Sequence, residues 1–194
     1  TLLGSGRLLR YVRYTIVCFL TTLPVLAAAA AAATEDRAEF VGAESCISCH
    51  AEQVRAWQGS HHDLAMQHAD SDSVLGDFSD ATFTYGKVTT TFFLRAGGYF
   101  VRKDSADGKL AEFRVSYTFG VSPLQQYLIE FPDGRIQCLG IAWDSRSAEE
   151  GGQRWFHLYP DQAIPHDDLL HWTGSNQNWN YMCAGCHSTN LQRN

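Results

Sequence analysis

Two short motifs constrain this chain more than any other feature: Cys46-Ile47-Ser48-Cys49-His50 and Cys183-Ala184-Gly185-Cys186-His187. In a CxxCH motif the spacing lets one helical turn present both sulfurs to one edge of a porphyrin, where each cysteine adds to a vinyl group. The next residue, histidine, then lies under the iron and supplies an axial nitrogen. On this reading Cys46, Cys49, Cys183 and Cys186 attach at least two haem c groups, with His50 and His187 as the proximal metal ligands. One such motif arises easily by accident; two in a chain with an export signal are a much stronger indication.

Three other uses of paired cysteines compete with this reading. Zinc sites pair CxxC motifs, usually at closer separation. A thioredoxin-like dithiol needs an α/β context that the flanking sequence lacks. Structural disulfides suit an oxidising compartment, but do not call for a histidine after each pair. Cys138 stands apart on a strand-like segment and reads as a buried free thiol.

The first 33 residues read as a secretory signal. Arg7, Arg10 and Arg13 form a positive start, Tyr14 to Leu26 an apolar run, and Ala27 to Ala33 a stretch of small residues suited to cleavage. The rival reading is an uncleaved anchor, because the apolar stretch with its alanines approaches the roughly 20 residues of a spanning helix. Cys18 falls within this segment. Export to the periplasm or beyond is the expectation. The net charge is −6, and removing the three arginines makes it about −9. An acidic chain without a basic patch disfavours a nucleic-acid partner. It suits steering of a basic redox partner protein, with a membrane-associated electron donor or acceptor as a further option.

Four segments follow from the pattern: a signal at 1–33, a first haem-binding helical segment at 34–80, an antiparallel β-rich insert at 81–159 and a second haem-binding segment at 160–194. The first reads as helix from Glu44 to about Ala69, interrupted at Gly59-Ser60, with a second short helix from His62 to Ala69. The insert changes to a period of about two. Its strand-like runs are Thr82–Tyr85, Val88–Arg95, Tyr99–Lys103, Phe113–Phe119, Leu124–Phe131, Ile136–Trp143 and Arg154–Leu158. Turn residues such as Ala96-Gly97-Gly98, Asp107-Gly108 and Pro132-Asp133-Gly134 separate them. His166 to Trp172 reads as one or two helical turns, and Gly174 to Tyr181 as a loop rich in Asn and Gln. The expected fold class is α+β, with helical haem-binding segments at both ends flanking an antiparallel β-meander. The second motif lies seven residues from the end of the chain, so a truncated sequence is expected.

The sixth iron ligand is left open by spacing alone. His61, His62, His68, His157, His166 and His171 remain after the proximal pair, with Met66 and Met182 as the methionines. If His50 to His62 formed one helix, twelve residues at about 1.5 Å each would separate them by roughly 18 Å. That is too far to bind both faces of one iron unless the chain folds back at Gly59. His62 and His171 are carried forward as the candidate distal ligands, His62 for a haem other than that of its neighbour.

The run Cys46-x-x-Cys49-His50 followed by Trp57-x-x-Ser60-x-His62 resembles the opening of periplasmic multihaem cytochromes c, including tetrahaem electron carriers. The later run resembles the haem domain of multihaem cytochromes in which tetratricopeptide repeats follow. It comprises His171-Trp172-Thr173-Gly174, Asn178-Trp179-Asn180-Tyr181-Met182-Cys183 and Cys186-His187-Ser188-Thr189-Asn190. The resemblance spans roughly Phe40 to the end. It implies covalent haem c, electron transfer and, in His62, a distal ligand. Further CxxCH motifs and helical repeats, usual in such proteins, do not occur in this sequence. Electron transfer is the leading expectation. The alternatives are a haem oxidoreductase acting on a nitrogen oxide or peroxide, and a haem module of a repeat-containing interaction protein.

Overall fold

Alternation of apolar and polar residues between the two motifs builds the strands that organise everything else. A computed structural model describes residues 38–191. The expected signal segment and Cys18 lie outside the described residues. The fold belongs to a unit that begins at Gly42. Helix α1 spans Ile47–Trp57. Nine strands follow among the described residues: β1 (Met66–His68), β2 (Ser79–Tyr85), β3 (Val88–Arg95), β4 (Gly98–Asp104), β5 (Leu110–Arg114), β6 (Tyr117–Phe119), β7 (Leu124–Glu130), β8 (Ile136–Asp144) and β9 (Arg154–His157). Two single turns, α2 (Trp179–Met182) and α3 (Ala184–His187), close the order. No helix among the described residues is long and apolar enough to cross a membrane.

The strands make two antiparallel sheets, one ordered β1-β6-β7-β8-β9 and the other β2-β3-β4-β5. Both contribute to one core that includes Phe78, Phe92, Val101, Tyr127, Ile129, Leu139, Ile141, Trp143 and Trp155. Aromatic rings dominate it. Trp155 stacks on Phe92 with centroids 3.6 Å apart, and Phe78 meets Phe92, Tyr99, Tyr127 and Trp155 edge-on. Such rings bury large apolar areas and favour offset or edge geometries.

Strand β8 departs from simple alternation, because every residue from Gln137 to Asp144 is buried. One set, Leu139, Ile141 and Trp143, enters the core shared by the sheets. Cys138, with Leu128 of β7, enters a second cluster that contains Trp179 and Ala184. A strand covered on both faces loses the polar half of its pattern.

The α+β expectation of helical segments at both ends is corrected. The described structure is mostly antiparallel sheet, with one helix of more than a single turn. Residues predicted helical from His62 to Ala69 instead turn and enter β1, which pairs with β6 through Met66 opposite Phe119. Eight residues are too few to hold a helix without tertiary support, and Gly59, just before them, turns the chain in the left-handed region at φ +71°. The edge of β6 supplies backbone partners that a free helix end lacks. His166 to Trp172 likewise forms turns, with Asp168 bonded back to Pro165 and His171 to Asp168. The single run Phe113–Phe119 divides into β5 and β6, which belong to different sheets. The expected single meander is therefore two sheets.

Trp155 touches four aromatic residues and is 7% exposed. Trp155→Ala is predicted to cost about 3–5 kcal/mol, the usual range for emptying a large aromatic site. Urea unfolding followed by fluorescence checks it; a loss under about 1 kcal/mol contradicts the shared aromatic core.

Candidate haem-attachment sites

The first motif begins in a short 3-10 turn, Ala43–Cys46, and continues into α1. Cys46 caps α1, Cys49 lies in its first turn, and His50 leaves helical geometry at φ −123°, ψ 34°. The motif thus occupies one turn, set off by the break at His50 from the helix that follows. Every α1 residue is exposed except the half-buried Val54. An isolated helix shorter than about 12 residues is marginal in water, so this helix suits a bulky apolar group lying on it. Ile47 and Trp57 are among its exposed apolar side chains.

The chain leaves α1 at Gln58 and turns at Gly59. The Asp63 carboxylate accepts from the Gly59 N–H at 2.8 Å, and the Leu64 N–H donates to the Ser60 carbonyl at 3.0 Å. His61 and His62 are both exposed on this turn. A continuous helix from His50 to His62 is therefore not formed, and the 18 Å separation expected for one does not apply. The turn feeds directly into β1, where His68 is exposed and its ring lies 5.0 Å from Tyr117.

The second motif is pinned more firmly. Trp179 and Ala184 are buried against Leu128 and Cys138. Polar side chains fix the approach. Asn178 Nδ2 donates to Gln137 Oε1 at 2.8 Å, and Asn180 Oδ1 accepts from the Ile136 N–H at 2.8 Å. Gln137 Nε2 in turn donates to the Trp172 and Gly174 carbonyls. The Cys186 and His187 N–H groups both donate to the Cys183 carbonyl, at 3.1 and 3.0 Å, closing one helical turn around the motif. His187 is exposed and meets Phe119 edge-on at 5.1 Å. The Asn- and Gln-rich stretch read as a loop is thus the anchor of the motif. Asn178 and Asn180 belong to the run that carries the resemblance, but their anchoring role, and Gln137 altogether, go beyond what the sequence indicates.

The fit to haem c rests on these residues. Cys46, Cys49, Cys183 and Cys186 are all free thiols; Cys183 is half-buried and the others are exposed. Each pair is spaced by one turn, with its histidine at the C-terminal end. Tyr181 and Met182, beside the second motif, are 81% and 59% exposed, an apolar surface that a porphyrin would cover. Cys138 is buried, and burial pushes its thiol up to about 12, with Cys183 beside it contributing in the same direction.

His171 sits elsewhere. It is 3% exposed, with Nδ1 2.7 Å from Thr173 Oγ1 and Nε2 3.1 Å from Asp104 Oδ2. Asp104 also pairs with Lys103 at 2.7 Å, and its backbone carbonyl accepts from Trp172 Nε1 at 2.6 Å. This buried knot ties the segment before the second motif to β4. His157 is buried in β9 and stacks on Tyr85 at 3.7 Å. Burial, together with the charge of Lys103, lowers its pKa. His166 is exposed and lies against Gly108.

Burial alone would raise the Asp104 carboxyl, but hydrogen bonds from His171 and Lys103, with their charges, bring it down to about 2. A depressed carboxylate contributes stability above its unfolded pKa near 4, and that contribution is lost as pH falls through the folded value. Acid titration of stability is predicted to show this loss between about pH 4 and pH 2. Asp104→Asn should flatten that part of the profile; an unchanged profile contradicts the knot.

Residues 45–82 match a family model described as cytochrome c554 and c-prime. The matched stretch contains the first motif, the His61–His62 turn, β1 and the start of β2. It supports a c-type cytochrome, in which haem c is bound covalently and passes electrons to and from redox partners. No curated protein and no solved structure matches the chain.

Proposed function

We propose that this chain is an exported multihaem c-type cytochrome that carries electrons between redox partner proteins. The observation that carries the reading is the pair of CxxCH turns, each with free thiols and an exposed histidine at its end. Haem c, when bound, supplies the one-electron iron chemistry. The cysteines of each turn would hold the haem covalently, and His50 and His187 would each offer an imidazole nitrogen to its iron. The wall formed by β6, β7 and β8 fixes the second turn and keeps water from its inner side.

We infer that His62 would be a further iron ligand for the haem held by the second motif. The turn bearing His62 runs into β1, and β1 pairs with β6, whose Phe119 contacts His187. This arrangement supports service to the second motif rather than to the neighbouring His50. His171 is spoken for by Asp104 and Thr173, and acts as an anchor. The acidic surface favours a basic redox partner, and export follows from the Arg-rich, apolar, alanine-ended start.

Intact-mass measurement of the matured protein is predicted to find two covalent haems. Cys46→Ala with Cys49→Ala removes one, and Cys183→Ala with Cys186→Ala removes the other. A matured wild-type chain without covalent haem refutes the reading. Electron paramagnetic resonance of His62→Ala is predicted to turn one haem from low to high spin, with the haem count unchanged. Sequencing the exported product is predicted to place its N-terminus within or just after Ala27 to Ala33.

A further inference from the structure

Cys138 lies near the start of β8, 3% exposed, in the apolar cluster of Leu128, Trp179 and Ala184. Cys183, the first cysteine of the second motif, packs against the same cluster. Cys138 and Cys183 are thus neighbours in one apolar cluster. The backbone holds them there. Gln137 bridges to Asn178, and Asn180 accepts from Ile136, so the two residues just before Cys138 are tied to the segment that leads into Cys183. Cys186 differs, because its side chain is exposed.

Bridging requires the two β-carbons to lie within about 4.5 Å with their side chains facing. Two thiols packed into one apolar cluster on segments tied together by these bonds are placed for such an approach. We propose that Cys138 and Cys183 form a disulfide in the haem-free chain, and that this bond withholds Cys183 from haem attachment until it is reduced. The oxidant is a disulfide donor, small or protein-borne. Cys183, as thiolate, attacks a donor sulfur, forming a mixed disulfide and releasing one donor thiol. Cys138 then gives up its proton and displaces the second donor thiol. Two protein thiols and one donor disulfide become one protein disulfide and two donor thiols. Exchange starts at Cys183 because it is the more accessible of the two, and closure is slow because Cys138 is held protonated.

The withholding effect rests on the haem reading above; the disulfide does not. Attachment requires the Cys183 thiol, whose sulfur bonds one vinyl carbon while its proton goes to the other. A Cys183 engaged with Cys138 has no such proton to give.

The test begins with the full chain, free of haem, incubated with oxidised glutathione. Remaining thiols are then alkylated and the digest is mapped by mass spectrometry. The expected result is a linked pair of peptides carrying Cys138 and Cys183, with Cys186 alkylated. A dominant Cys183–Cys186 link, or three alkylated cysteines, overturns the disulfide. In a second arm, Cys138→Ala is exported under oxidising growth, and the share of second-motif peptide bearing haem is compared with wild type. A rise supports withholding and an equal share overturns it. Should Cys138→Ala fold poorly, wild type matured with an added thiol reductant gives the same comparison. A chain that shows the link yet never binds haem overturns the haem reading and leaves the disulfide standing.

Discussion

Burial of β8 on both faces is the constraint on which the rest of the structure depends. One face closes the aromatic core between the two sheets through Leu139, Ile141 and Trp143. The other gives Trp179 and Ala184 a surface to pack on, through Cys138 and Leu128 of β7. The second motif is rigid because it sits on a strand that the core already immobilises. Its polar anchors follow from the same cause: backbone and amide groups brought out of water need partners, and Gln137, Asn178 and Asn180 satisfy one another and the chain around them.

The two motifs differ in support. The first stands on a helix whose residues make no buried contact, and the second on a turn pressed against a sheet. A ring held by the first motif would itself supply much of the apolar cover for α1. A ring held by the second would meet a preformed protein wall. The potentials of such groups depend on burial and axial ligation, so rings held at the two motifs would meet two different environments. The knot of Lys103, Asp104 and His171 extends the preformed side, tying the approach to the second motif onto the other sheet.

Much of the insert was legible because strand periodicity is local. The segments Val88–Arg95, Leu124–Phe131 and Ile136–Trp143 were read with ends close to those found. Glycine and Asp-Gly turns supplied the breaks. The division of Phe113–Phe119 between two sheets was not legible, since the pattern passes through both strands and only their partners differ. The helix expected from His62 to Ala69 failed for a similar reason: a short apolar run accepts either state, and pairing of Met66–His68 with β6 decided it. The surroundings of His171 were not legible either: Asp104, far away in sequence, engages its Nε2.

The sequence by itself determined the local turn that brings two thiols and a histidine together, because CxxCH spacing closes one turn whatever surrounds it. It also set the alternation that makes the strands, since the side-chain period is a property of the backbone. Tertiary structure alone decided which strands share a sheet, that both faces of β8 are covered, and that Cys138 meets Cys183. Those outcomes depend on contacts between residues far apart in the chain, and local pattern carries no record of them.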